Sequence, residues 1–188
     1  VRLSVIDILR EMEEEAAPAV PQIIRLLKDD NSEVRESAVH ALGTIEEKIE
    51  SPSSVPRLTE TLKDEKAEVR SFAAWSLGNL AEKSKSAVPQ LTEALKDDNL
   101  KVKTSATSAL EYIAEGYRNQ VEKLSHQELE TGIINLETAL QEIEKLNSEE
   151  LGFTKKAFKR IKLSVQRALI SLKKEKDSRL TSRVLEWM

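Results

Sequence analysis

The sequence predicts an all-α fold: about three antiparallel helix pairs stacked as a solenoid, followed by a long antiparallel helical hairpin. Three observations predict it. A Val-Arg phrase recurs at Val1-Arg2, Val34-Arg35, Val69-Arg70 and, as a variant, Val102-Lys103, at intervals of 33, 35 and 33 residues. A second phrase alternates with the first, reading AVPQIIRLLKDD from Ala19, SVPRLTETLKDE from Ser54 and AVPQLTEALKDD from Ala87. After Gly116 this period stops, and a three-four apolar rhythm takes over.

Each phrase has a helical period. In the first, Val34, Ala38, Ala41, Leu42 and Ile45 fall at i, i+4, i+7, i+8 and i+11 and make one apolar stripe. In the second, Val55, Leu58 and Leu62 correspond to Val88, Leu91 and Leu95. Pro21, Pro56 and Pro89 sit in the first turn of these helices, where the missing N–H had no intrahelical acceptor. They therefore mark helix starts. Asn31 or Ser32 can cap the helix that follows. A two-helix unit of this size cannot bury its stripe alone, so units must stack, with Leu42, Leu77 and Leu110 in one continuous column.

Residues 1–120 are read as the repeat region and 121–188 as the hairpin. Ser125 and Glu128 have capping-box spacing, and Leu129, Ile133, Leu136, Leu140 and Ile143 form a seam on one long helix. Beyond a break at NSEELGFT, the residues Phe158, Ile161, Val165, Ala168 and Leu172 repeat the rhythm. Glu122 to Glu150 holds eight acidic and two basic residues, whereas Lys155 to Arg183 holds eleven basic and two acidic. Opposite charges beside the seam favour pairing within the hairpin. The alternative is a basic helix offered to an acidic partner or an anionic membrane. The end, with Leu180, Val184, Leu185, Trp187 and Met188, is the other candidate for membrane contact or dimerisation.

Composition narrows the chemistry. The 188-residue chain has no cysteine, so thiolate catalysis and thiolate metal sites are excluded, and a reducing, cytoplasmic setting is expected. Its two histidines, His40 and His126, are too few for a histidine-rich metal centre. Residues 1–120 carry 16 basic and 22 acidic side chains, a balance that repels phosphate, so no nucleic-acid partner is expected. No apolar run approaches the ~20 residues that span a bilayer. The chain opens on Val1 partway through a repeat, which suggests a piece of a longer protein, with membrane tethering through that parent as a further expectation.

The phrases "VR", small residues, "ALG" or "SLG", then "VP" and "LKD", resemble HEAT repeats of the short phycobilisome-lyase type over residues 1 to about 116. The resemblance implies a curved stack whose second helices line a concave side. It also implies ladders of Arg2, Arg35, Arg70 and Lys103 with Asp29, Asp64 and Asp97. Lys103 departs from the arginine of the pattern. On such a concave side the free residues form rows, and Glu36, Val39, His40, Ser71, Trp75, Thr107, Ser108 and Tyr112 are the candidate partner-binding residues. Trp75 is the largest of them, either an aromatic anchor of the kind that commonly dominates interfaces or a ring that lies flat over a neighbouring helix and seals the stack. The di-iron deoxyhypusine hydroxylases are built from similar repeats with His-Glu pairs. This sequence contains no His-Glu pair, and His40 stands alone. The expected function is a noncatalytic scaffold that binds a protein partner through the concave face, with no cofactor. Alternatives implied by resemblance are a subunit of a bilin lyase or, from SLKKEKDSRL and VLEWM, the sensor region of a bacterial signalling NTPase.

Overall fold

The structure, a computed structural model, describes residues 1–48, 52–149, 151–153 and 155–187, with side chains for all of these except residues 48 and 184–187. The Val184, Leu185, Trp187 and Met188 cluster therefore lies outside the described side chains. The described residues form helices α1 (Arg2–Glu11), α2 (Val20–Leu26), α3 (Ser32–Ile45), α4 (Val55–Thr61), α5 (Ala67–Asn79), α6 (Val88–Ala94), α7 (Leu100–Gln120), α8 (His126–Lys145) and α9 (Lys155–Trp187), joined by short 3-10 segments.

The proline-bearing helices α2, α4 and α6 start where expected, with proline at the first or second position. The Asn31 side chain accepts from the Glu33 N–H, and Asn99 accepts from Lys101 and Val102, which satisfies donors a helix start leaves unpaired. Ser125 and Glu128 close a reciprocal capping box at α8. The chain alternates between two layers. A front layer runs α1, α3, α5, α7, α9, each packed on the next. A back layer holds α2, α4, α6 and α8, with α6 against α8. The hairpin thus adds its two helices to the same two layers.

The stripes explain this order. Leu42, Leu77 and Leu110 are wholly buried, as are Leu58, Leu91, Val165, Ala168 and Leu172. Gly43 lets α3 and α5 approach closely, since a Cβ built there would stand 2.9 Å from the Ser76 Cα. The Ser76 hydroxyl uses that closeness to donate to the Val39 carbonyl at 2.9 Å.

Polar ladders lock the units. Arg35 Nε and Nη2 donate to both Asp64 oxygens at 2.8 and 3.0 Å, while Nη1 donates to the Asp29 carbonyl at 2.9 Å. Arg70 repeats the arrangement on Asp97 at 2.7 and 2.9 Å and on the Asp64 carbonyl at 2.8 Å. Arg2 pairs with Asp29. Arg35 and Arg70 therefore each tie their own helix start to the loop of the following unit, which needs the planar fork of arginine. Lys103 forms no ion pair among the described residues. The buried Glu46 carboxylate accepts from the backbone N–H and hydroxyl groups of Ser53 and Ser54 and anchors the α3–α4 connection.

The hairpin charges pair across it, Lys173 with Glu137 at 2.7 Å and Lys176 with Glu130 at 3.0 Å. Further pairing reaches beyond it. Arg160 binds Glu111 of α7 at 3.1 Å, whereas Arg179, donating to the Glu122 carbonyl at 2.9 Å, ties α9 to the start of the hairpin region itself.

Candidate functional site

The front layer repeats its exposed slots at the period of the sequence. In α3 these are Glu36, His40, Thr44 and, just beyond, Glu47. In α5 they are Ser71, Trp75, Asn79 and then Glu82. In α7 they are Thr104, Ser108, Tyr112 and Glu115. All are at least partly exposed because the stripe that packs on the other helices points elsewhere.

Of the eight candidates, six reach the surface: Glu36, His40, Ser71, Trp75, Ser108 and Tyr112. The other two require correction. Val39 and Thr107 are fully buried. Val39 belongs to the core between α3 and α5, and the Thr107 hydroxyl donates to its own helix at the Lys103 carbonyl, 2.7 Å away. Both lie one residue before an exposed slot, on the shoulder of the helix where the next helix closes over them.

Trp75 is 37 % exposed and stands edge-on to His40, ring centroids 4.9 Å apart. The Phe72 ring is tilted against His40 as well, with centroids 5.3 Å apart. Arg10 Nη1 is 3.2 Å from His40 Nδ1, and Arg10 Nη2 pairs with Asp7 at 3.4 Å. A guanidinium can only donate, so His40 Nδ1 accepts and its proton resides on Nε2. Burial, then the Arg10 charge, holds the His40 ring below its ordinary pKa, against the opposing pull of Asp7. His40 is thus a neutral spacer between Arg10 and Trp75. Phe72 and Arg10 escaped the sequence reading because neither occupies the slot shared by His40 and Trp75.

A shallow cleft of about 380 Å³ opens beside Tyr112, between α5 and α7. Its lining includes Glu47, Asn79, Glu82, Glu115 and Asn119. Glu14, Glu47, Glu82 and Glu115 recur at 33, 35 and 33 residues, the same intervals as the Val-Arg phrase. The signal was therefore present in the sequence as a column of carboxylates, one per unit. Glu36, farther along the face, has its pKa raised by burial and by the Glu68 and Glu33 charges. Among the described residues no group of three histidine, aspartate or glutamate side chains is placed to hold a metal ion.

A two-layered stack with inter-unit arginine ladders defines a HEAT or armadillo-like helical-repeat protein. The chain belongs to the family described as the adaptin N terminal region, whose profile matches residues 3–177. No match is found among curated proteins. Solved structures share the fold at low identity. The CpcE–CpcF complex of phycocyanin lyase from Nostoc sp. PCC7120 is 20 % identical at a TM-score of 0.56, covering 85 % of each chain. An engineered protein is 21 % identical at a TM-score of 0.55, covering 92 % of this chain and 90 % of its own. A designed armadillo repeat protein in complex with the peptide (KR)4 is 16 % identical at 0.51, covering 89 % and 91 %.

Proposed function

We propose that the protein is a noncatalytic interaction scaffold whose front face holds an extended, basic segment of a partner protein. The observation that carries this reading is the row of exposed rings, Trp75 and Tyr112, standing among small side chains on a face edged by the repeated carboxylates Glu47, Glu82 and Glu115. Rings supply contact area at little entropic cost and attract cations over their faces. Carboxylates repeated once per unit select lysine and arginine. The spacing also suits an extended ligand. Packed helices stand ~8–10 Å apart, and a polyproline II chain advances ~9 Å in three residues, returning every third side chain to one face. The designed armadillo protein holding a (KR)4 peptide adds support from the same fold class.

The test is fluorescence anisotropy with labelled Lys/Arg-rich and Asp/Glu-rich peptides of equal length. The basic peptide is expected to bind preferentially and to weaken with salt. Trp75→Ala, Tyr112→Ala or the double variant Glu82→Gln/Glu115→Gln should each weaken it about tenfold, the scale of an interface anchor. Equal binding of both peptides, or binding indifferent to all three variants, would refute the reading.

A further inference from the structure

A cavity of about 620 Å³ opens where the repeats meet the hairpin, between the 3-10 segment ahead of α6, the end of α7 and the start of α8. It shares only Glu82 with the cleft beside Tyr112. Its volume lies within the ~300–1,000 Å³ of small-molecule sites, which join an apolar lining to a few convergent polar groups.

Three departures from the repeat build it. Three residues before Val88, Lys85 stands where the units of Val20 and Val55 have Ala17 and Pro52. Helix α7 runs for 21 residues against 14 in α3 and 13 in α5, and its added turns carry Tyr117 and Gln120. Gly132 of α8 then admits the Tyr117 ring, since a Cβ there would stand 2.8 Å from the ring's Cε1. Helices α3 and α5 pack on each other without any of the three.

The polar groups left in the cavity are incompletely matched. Lys85 is half-buried; its Nζ donates to Gln120 Oε1 at 2.9 Å and lies 5.4 Å from the centre of the Tyr117 ring, which leaves donors to spare. Burial lowers its pKa against the pull of Glu128 and Glu82, so the ammonium is short of counter-charge. Tyr117 is 3 % exposed, yet its hydroxyl has no hydrogen-bond partner among the described residues, where buried tyrosines usually find one. No fully buried side-chain oxygen or nitrogen of the described residues lacks a partner, so this hydroxyl opens onto the cavity that Tyr117 lines. Burial, then the Glu128 charge, pushes its pKa up to about 12, and it keeps the proton it can donate. Glu128 lines the same cavity and closes the α8 capping box, but no ion pair joins it to Lys85 among the described residues.

A lone anion drawn to Lys85 and the Tyr117 hydroxyl meets the Glu128 charge, and a lone cation drawn to Glu128 meets Lys85. A ligand carrying both charges satisfies all three groups. We propose that this cavity binds a small zwitterion, a free α-amino acid, with its carboxylate on Lys85 and the Tyr117 hydroxyl and its ammonium on Glu128. Gln127, Thr131 and Asn135, at steps of four along α8, line the cavity and offer it further hydrogen bonds. Such a ligand touches the segment before α6, α7 and α8 together, so binding stabilises the seating of the hairpin on the repeats.

Isothermal titration calorimetry of the full chain against each common L-amino acid, up to ~10 mM, tests this. At least one should bind and should raise the thermal midpoint. Its amide, which lacks the carboxylate, and its N-acetyl derivative, which lacks the ammonium, should each bind about tenfold more weakly. Three variants each remove one partner: Lys85→Ala installs the residue of the first unit, Tyr117→Phe deletes only the hydroxyl, and Glu128→Gln keeps a side chain that closes a capping box. Each should weaken binding about tenfold, the scale of one lost hydrogen bond to a charged group, with circular dichroism confirming the fold. Absence of binding by every amino acid overturns the proposal. So does equal binding of the parent, amide and N-acetyl forms, or an affinity unchanged in all three variants.

Discussion

Replacing Arg35 with alanine should remove more stability than any single exposed ion pair contributes. Arg35 and Asp64 side chains are only 8 and 10 % exposed. The change deletes two hydrogen bonds to the Asp64 carboxylate, one to the exposed Glu65 carboxylate and two to the carbonyls of Asp29 and Asp30. Exposed pairs contribute ~0.2–1 kcal/mol, whereas stripping one partner from a buried pair costs ~3–5 kcal/mol. Asp64 keeps one donor, the Lys66 N–H at 2.9 Å, which places the cost near the lower end, about 3 kcal/mol. At ~2–4 °C per kcal/mol for a chain of this size, the thermal midpoint should fall by roughly 6–12 °C. The pH dependence has a definite sign. Burial acts to raise the Asp64 pKa, but its hydrogen bonds to Arg35 and Lys66 prevail and hold it below the ordinary carboxylate value. A depressed folded pKa means that the stability it contributes is present above ~3.9 and fades as pH falls through the folded value. Urea denaturation of wild type and Arg35→Ala, followed by circular dichroism from pH 7 down to pH 2, should therefore show the gap between them narrowing in acid. A gap below about 1 kcal/mol at pH 7, or one constant with pH, would show that the ladder is decoration on a stack held by its apolar column.

Two further substitutions probe the stack itself. Leu77→Ala empties the middle of the column and should cost about 2–5 kcal/mol in the same denaturation assay; a loss under about 0.5 kcal/mol would remove Leu77 from the core. Gly43→Ala sets helix propensity, worth ~1 kcal/mol in favour of alanine, against a Cβ 2.9 Å from the Ser76 Cα and 2.7 Å from its Cβ. Overpacking at backbone costs ~1–3 kcal/mol, so the variant should be the less stable of the two, and a more stable one would mean that α3 and α5 can separate freely.

The fold was legible because the same physical demand is written several times. A stripe such as Val34, Ala38, Ala41 and Ile45 is ambiguous alone, but its recurrence at Val69 and Val102 with an interposed proline helix leaves stacking as the way to bury it. The hairpin seams were equally plain, since Leu129, Leu136, Ile143, Val165 and Leu172 are all buried. Side-chain partners beyond the hairpin were not. Glu111 receives Arg160 because α9 lies across α7, and neither helix carries a periodic sign of the other in its sequence.

The candidate face was read well along the helices and poorly around them. A helix turns 100° per residue, so Val39 and His40 are neighbours in sequence but differ between core and solvent, as do Thr107 and Ser108. The repeat period fixes which residues are equivalent; it does not fix how far the next helix wraps over each one. The same distinction explains Trp75. Its slot is held by Asp7, His40 and Ser108 in the other units, and its ring leans on His40, toward the preceding unit, while 37 % of it stays exposed. The small Ser108 follows on the other side, one turn before Tyr112. A large ring braced on one flank and followed by a small residue presents an edge to a ligand without needing to move. That preorganised edge is the reason to expect Trp75→Ala to be felt in binding more than in folding.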